Sequence, residues 1–234
     1  MVPSRQLRVA FATTDPVGAA RFWAALLGRE LVEADAGALV PGGEAQLSLR
    51  FFPSGAESTE PHRLHLHVTS RDAAQQRETV GAALALGARH LDVGQRPEEG
   101  HVVLGDPEAN PFCVIEPGNS FLEGCGLLGE IACEGTRDVG LFWSAALEWP
   151  LVWDQDEETA IQSPEGGTKV AWGGPPVVAP TAAQRQLFDV VVSGDPRSVV
   201  DDLLRLGATR RAADEDGRVA LVDPDGVAFC VMTG

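Results

Sequence analysis

The stretch "GDPEANPFCVIEP" (residues 105–117) and the stretch "VDPDGVAFCVMTG" (residues 222–234) share an Asp-Pro pair, a short turn and the triplet Phe-Cys-Val. Asp-Pro favours a turn because the proline ring fixes its own φ, while the aspartate side chain accepts hydrogen bonds from the backbone that follows. The apolar triplet after each turn is typical of a buried strand. One chain therefore carries the same turn-and-strand unit twice, which indicates an internal repeat.

Two further pairs of segments repeat in the same order along each half of the chain. The segment "ARFWAALLGREL" (20–31) matches "GLFWSAALEWPL" (140–151), and "LALGARHL" (84–91) matches "LRLGATRR" (204–211) at the same offset. Between the halves lies "PGNSFLEGCG" (117–126), whose Pro, Gly, Asn and Ser content is typical of a linker.

These repeats divide the chain into two parts. We predict a first domain at residues 1–118, a linker at 119–126 and a second domain at 127–234.

Hydrophobic patterning predicts two βαβββ units in each half. Residues 7–14 are typical of a strand and residues 16–27 of an amphipathic helix, and three short strands follow. The same order begins again with the strand "RLHLHVTS" (63–70). Trp23 and Trp143 lie on helix faces among Leu and Ala, so we expect them in the core. The sequence thus predicts an α+β protein of four such modules in two domains.

Composition narrows the class of protein. The hydrophobic fraction of 44% suits a globular core, and no apolar run is long enough to span a membrane. The N-terminal residues lack the pattern of a signal peptide, so we expect a cytoplasmic protein. A formal net charge of −16 disfavours nucleic acids and anionic membranes as partners. The four Cys form no CxxC pair, which predicts reduced thiols rather than a disulfide framework.

The order of "FWAALLG", "LGA" and "DPEANPFCVIEP" resembles the vicinal oxygen chelate superfamily, which includes glyoxalase-like, bleomycin-resistance-like and extradiol-dioxygenase-like proteins. The resemblance covers nearly the whole chain as two fused copies. It implies tandem glyoxalase-like domains, in each of which two βαβββ modules form a cupped mixed β-sheet with flanking helices. Because this superfamily often builds its cavities from two chains, the resemblance also implies either a monomer with an internal pseudo-dimer or a homodimer.

In the metalloenzymes of this superfamily, His and Glu side chains on strands hold a divalent metal that acts as a Lewis acid on the substrate. The resemblance places the corresponding positions of the two halves at Arg8, His65, Cys113, Leu128, Phe188 and Cys230. Leu and Phe side chains cannot ligate a metal, and the acid of the closing strand is a Cys in both halves. The usual metal site is therefore expected to be absent.

A softer metal site is a possible alternative in the first half. His65 and His67 are two residues apart on a predicted strand and so share a face. With Cys113 they would offer a His/His/Cys set suited to zinc or a similar ion. Alternatively, the histidines only form hydrogen bonds within the cavity, and Cys113 and Cys230 pack between strand and helix. A divalent metal is thus a possible cofactor but not a required one.

Other side chains indicate a small organic ligand. Arg8 could pair with a carboxylate or phosphate of a ligand if the resemblance is right that it points into the cavity, or it is an ordinary surface Arg. Trp153 and Trp172 fall on strands that line the cup in this superfamily, where they could stack on a flat molecule. Together with His65 and His67, these are the candidate ligand-binding residues.

Three functions follow from these expectations. The first is binding of a small organic molecule in one or both cups without the usual metal site, as in resistance or sequestration proteins. The second is a metal-dependent lyase, isomerase or dioxygenase that uses a reduced site in the first domain. The third is a non-catalytic scaffold, for which the sequence offers no positive feature.

Overall fold

The computed structural model describes residues 5–34, 37–43, 45–54, 62–96, 98–179, 184–211 and 218–234. Within these residues, sixteen strands and four α-helices form four consecutive βαβββ modules. The predicted α+β fold class is confirmed. No helix in the described part of the chain is long and apolar enough to cross a membrane.

The first half of the chain holds modules 1 and 2. Module 1 consists of β1 (Arg5–Thr13), α1 (Pro16–Leu27), β2 (Val32–Ala34), β3 (Gly37–Val40) and β4 (Ser48–Pro53). Module 2 consists of β5 (Leu64–Val68), α2 (Ala73–Ala85), β6 (Arg89–His90), β7 (Val102–Gly105) and β8 (Pro111–Val114). A short 3₁₀ helix at Ser120–Leu122 follows in the connection to the second half.

The second half repeats this order in modules 3 and 4. Module 3 consists of β9 (Leu128–Cys133), α3 (Arg137–Leu147), β10 (Leu151–Gln155), β11 (Glu158–Gln162) and β12 (Lys169–Trp172). Module 4 consists of β13 (Gln186–Val192), α4 (Pro196–Arg205), β14 (Thr209–Arg210), β15 (Val219–Val222) and β16 (Ala228–Thr233).

Local sequence signals explain where the helices begin. Asp15, Asp72, Thr136 and Asp195 precede α1 to α4, and each side chain accepts a hydrogen bond from a backbone N–H of the first turn. Such caps satisfy donors that the helix itself leaves free. Helix α1 ends at Gly28, whose φ of 64° lies in the left-handed region that glycine adopts without strain.

Each of the two eight-stranded sheets takes one module from each half of the chain. Sheet A joins modules 1 and 4 in the order β14-β15-β16-β13-β1-β4-β3-β2, and sheet B joins modules 2 and 3 in the order β10-β11-β12-β9-β5-β8-β7-β6. The modules meet at two antiparallel seams, β1 with β13 and β5 with β9. The sequence repeat and the sheets therefore divide the chain differently.

Helices α1 and α3 connect the two sheets in one core. Helix α1 packs on β3 and β4 of sheet A, while Trp23 makes an edge contact with Phe112 of sheet B at a centroid distance of 5.0 Å. Helix α3 packs on β11 and β12 of sheet B, while Trp143 contacts Phe229 of sheet A at 4.9 Å. The two sheets thus share a continuous apolar core, and the expectation that Trp23 and Trp143 are core residues is confirmed.

A hydrogen bond from each core Trp explains why the FW and Asp-Pro motifs recur together. Trp23 Nε1 donates to Asp106 Oδ2 at 3.0 Å, and Trp143 Nε1 donates to Asp223 Oδ2 at 3.3 Å. Both carboxylates are buried. Each Asp also accepts backbone N–H groups of its own turn, so one side chain closes the turn and satisfies the Trp. Burial raises the pKa of Asp223 to about 6, against opposing hydrogen bonds from Val227 and Trp143.

The raised pKa of Asp223 makes stability depend on pH. Since the folded protein binds this proton more tightly than the unfolded chain, whose pKa is near 3.8, the contribution of Asp223 to stability is lost as the pH rises through about 6. Between pH 7 and pH 5, the free energy of unfolding of the wild type should therefore rise by about 1 kcal/mol relative to that of Asp223→Asn. Urea unfolding at both pH values measures this difference.

Comparing the free energies of unfolding at the two pH values cancels any pH-independent effect of the Asn substitution on stability. Asp201→Asn, at an exposed position on α4, corrects for the removal of one negative charge. An equal pH response in the wild type and in Asp223→Asn would contradict the assignment.

Candidate functional site

A cavity of about 790 Å³ lies on the face of sheet B that points away from the helices. We call it cup B. Alternation along β5 puts Leu64, Leu66 and Val68 into the core and leaves His65 and His67 on the opposite, cup face. Strands β9 to β12 and the connection around Ser120 complete the walls. Cup B therefore combines residues from both halves of the chain.

The structure brings the three predicted metal ligands together. One ligand atom from each of His65, His67 and Cys113 lies within 4.8 Å of the others. His67 is opposite Cys113 in the register of β5 and β8, and the two imidazole rings are 4.7 Å apart. Two nitrogens and one sulfur form a donor set suited to zinc or another borderline ion, with a position left for a substrate or water. The residues present thus fit a metal, though not the His and Glu set that the resemblance implied.

Glu130 adds a carboxylate to this cluster that the sequence analysis missed. It lies on β9 opposite His67 across the seam, and its Oε2 is 2.6 Å from His67 Nδ1. Because the carboxylate engages Nδ1, Nε2 is the ring nitrogen left to face Cys113 and a metal between them, as in many carboxylate–histidine–metal arrangements. The available signal was a single acid inside the apolar run "LLGEIAC" (127–133).

The two histidines carry opposite pKa shifts. Burial, with the charge of the neighbouring His67 as a second cause, lowers the pKa of His65 to about 4. Burial alone would lower the pKa of His67 too, but its hydrogen bonds with Cys113 and Glu130 prevail and raise it to about 9. At neutral pH in the metal-free protein, His65 is therefore a neutral imidazole and His67 an imidazolium.

The opposite wall of cup B is aromatic and carries one ammonium group. Trp153 is 38% exposed and makes an edge contact with Phe121 at a centroid distance of 6.0 Å. Lys169 Nζ lies 4.3 Å from the centre of the Phe121 ring and donates to the Phe121 carbonyl. Trp153 was predicted to bind a ligand but Phe121 was not, because residues 119–126 were expected to form only a linker.

Two other predicted ligand-binding residues occupy different places. Trp172 borders the cavity but is only 3% exposed and belongs to the main core. Arg8 lies on β1 of sheet A, so it takes no part in cup B.

The sequence alignment was wrong about which residue of β13 corresponds to the cup position of β5. Phe188 packs against Trp143 in the core at a centroid distance of 5.2 Å. Its neighbour Asp189 pairs with Cys230 in the same way that His67 pairs with Cys113. By this pairing Asp189 corresponds to His67 and Leu187 to His65. Phe188 lies one residue away from both, and a one-residue shift in a strand exchanges its two faces, so Phe188 points into the core.

The contact between Glu130 and His67 can be tested by titration of metal-free protein. Replacing Glu130 with Gln removes the charge that stabilises the imidazolium, so the pKa of His67 should fall from about 9 by about one to three pH units. Nuclear magnetic resonance of the imidazole protons between pH 5 and pH 10 measures the change. Glu134→Gln, at a second acid bordering the cavity, is the control. An unchanged His67 titration in Glu130→Gln would contradict the assignment.

Comparison with known proteins agrees with the fold and the repeat. A family profile described as a glyoxalase-like domain matches residues 8–115 and again residues 130–232. No curated protein sequence matches the chain.

Two solved structures cover nearly the whole chain. Glyoxalase I from Zea mays superposes with a TM-score of 0.68 at 13% identity, over 99% of this chain and 93% of that one. A putative dioxygenase from Bacillus subtilis superposes with a TM-score of 0.59 at 12% identity, over 97% of this chain and 84% of that one. At such low identity these structures establish the fold alone. With the two profile matches, they lead to one conclusion: the chain belongs to the glyoxalase-like domain family of the vicinal oxygen chelate superfamily and carries two copies of that domain.

Proposed function

We propose that the protein binds a small organic molecule in cup B. The observation that carries this proposal is a cavity of about 790 Å³ with an aromatic wall on one side and polar groups on the other. Cavities of roughly 300–1,000 Å³ with few polar groups among apolar ones are typical of small-molecule sites. Binding of this kind requires no metal.

The walls of cup B favour a flat ligand with polar oxygen or nitrogen atoms. Trp153 and Phe121 offer ring surface against which a planar group can pack. Lys169 and the neutral imidazole of His65 offer hydrogen bonds to the polar atoms. Glu130 and the imidazolium of His67 form a neutral pair, so they add no net charge to that end of the cavity.

A single chain supplies both modules of each sheet, which supports a monomer with an internal pseudo-dimer as the binding unit.

A thermal-shift screen against planar small molecules tests the binding proposal. A true ligand should raise the melting temperature with concentration, because it binds the folded state alone. Trp153→Ala should weaken its affinity by about twofold to twelvefold, since stacking on an aromatic ring is worth about 0.5–1.5 kcal/mol. Isothermal titration calorimetry measures the affinities.

Val93→Ala is the control, because Val93 is an exposed apolar residue that does not line cup B. A broad library that never changes the melting temperature would count against the proposal, as would hits that bind equally well to Trp153→Ala.

The His65, His67 and Cys113 cluster favours a second candidate, a metal-dependent lyase, isomerase or dioxygenase. His65, His67 and Cys113 would hold the ion, while Glu130 would fix the ring of His67. A bound divalent ion would supply Lewis-acid chemistry toward an oxygen of the substrate. The aromatic wall of cup B would then orient the substrate.

Metal content separates the two candidates. Untagged protein incubated with zinc, nickel, manganese or ferrous iron should retain about one ion per chain if the second candidate is right, by plasma mass spectrometry. His65→Ala should lose that ion, whereas His90→Ala, at an exposed His on β6, should keep it. Absence of bound metal under every condition would overturn the metal-dependent candidate and leave the binding proposal standing.

A further inference from the structure

Three charged side chains lie together on sheet A, on the face that points away from the helices. Arg8 on β1, Arg50 on β4 and Asp189 on β13 each sit between two residues of the apolar core. Alternation along a strand therefore directs all three to the face of sheet A opposite the core. Strand β1 lies between β4 and β13, so these residues occupy adjacent strands at the centre of the sheet.

Asp189 fixes the guanidinium group of Arg50. Arg50 Nε donates to Asp189 Oδ2 at 2.5 Å, and Nη2 donates to Oδ1 at 3.2 Å. Asp189 is 0% exposed and Arg50 is 9% exposed. The side chain of Arg50 reaches Asp189 across β1, where Ala10 is opposite Arg50 in the register and takes little space. This bidentate contact uses the Nε and Nη2 edge of the guanidinium, so Nη1 makes no contact with Asp189.

Nη1 of Arg50 is buried without an acceptor. No described residue lies within hydrogen-bond distance of it. A buried donor with no partner costs about 1–3 kcal/mol, so native structures seldom keep one unless a water or a ligand meets it. Nη1 carries two N–H groups, both of which an incoming acceptor can use.

Arg8 adds a second cation beside this donor. It is partly buried, and it forms no hydrogen bond or ion pair with any residue in the described ranges. Burial lowers the pKa of Arg8, Asp189 opposes this, and the nearby Arg50 lowers it further. Among the described residues, two guanidinium groups against one carboxylate leave a net positive charge here, which repels a metal cation and attracts an anion.

We propose that the face of sheet A that points away from the helices carries a second binding site, for the carboxylate group of a small organic acid held between Arg8 and Nη1 of Arg50. A carboxylate matches the single net positive charge and presents two oxygens in a plane, as guanidinium groups prefer. Phe52, whose ring centre is 4.5 Å from Arg50 Cζ, and the buried Ala12 and Val191 offer apolar contacts to the rest of the acid. The proposal does not depend on what cup B binds.

Fluorine nuclear magnetic resonance with two acids tests the proposal on the full chain. Fluoroacetate is small enough to avoid steric exclusion, and 4-fluorobenzoate adds an apolar ring; fluoroacetamide and 4-fluorobenzamide are their neutral counterparts. At least one acid should bind about tenfold or more tightly than its amide, since a charge-assisted hydrogen bond is about twice as strong as a neutral one. Arg8→Gln should weaken the binding of that acid by a similar factor.

Further variants locate the site and guard against misfolding. Arg50→Gln alone would leave Asp189 buried without its partner, so the double variant Arg50→Gln/Asp189→Asn is used after circular dichroism has verified its fold. It should bind the acid more weakly. Arg71→Gln, at an exposed arginine, and His65→Ala, in cup B, should bind it as the wild type does.

Several results would overturn the proposal. These are an acid that binds no better than its amide, an Arg8→Gln variant with unchanged affinity, loss of binding in His65→Ala, or no binding by either acid. Tighter binding of inorganic phosphate than of both acids would also overturn it, since the site would then select a phosphate rather than a carboxylate.

Discussion

The antiparallel seams between β1 and β13 and between β5 and β9 are the constraint on which the rest of the structure depends. Without them, each half of the chain would present two four-stranded sheets with unpaired backbone groups along one edge. The seams also bring together residues of both candidate sites, because they put Arg8 opposite Asp189 in sheet A and His67 opposite Glu130 in sheet B. Neither site can be assembled from one half of the chain.

The two sheets share the same arrangement of strands but differ in the side chains on the faces that point away from the helices. Each has a Cys on a closing strand, opposite a polar residue of the neighbouring strand: Cys113 with His67, and Cys230 with Asp189. In sheet B the seam pairs an imidazole with a carboxylate, which suits a metal or a neutral polar ligand. In sheet A it puts Arg8 beside a carboxylate that is already bound to Arg50, an arrangement that suits an anion.

Most of the fold could be predicted from local sequence signals. Most of the candidate site residues could not, because pairing between distant strands brings them together. Helix boundaries could be predicted because a capping Asp or Thr lies next to the helix that it starts. The pair His65 and His67 could be predicted because two residues on one strand share a face. Glu130 and Arg50 could not, since their roles depend on which strands become neighbours and in what register.

The repeat itself gave no indication of which modules share a sheet. The FW and Asp-Pro motifs occur once in each half, and their side chains meet between the sheets rather than within one. A sequence repeat records common ancestry of the halves, whereas strand pairing is decided by the complementarity of edges. The position of Trp172 shows the same limit on a smaller scale, because alternation puts it largely in the core rather than in cup B.

The nested order of the modules has a consequence for the emergence of the chain from the ribosome. Sheet B is built from one contiguous stretch between Leu64 and Trp172, so it can close while synthesis continues. Strand β1 is synthesised before its partner β13, which begins only at Gln186. Module 1 therefore lacks this partner strand until module 4 has been synthesised. Such a large sequence separation slows folding and prolongs the exposure of an unpaired edge. Nascent chains on one messenger would therefore be most prone to exchange their first and last modules with one another.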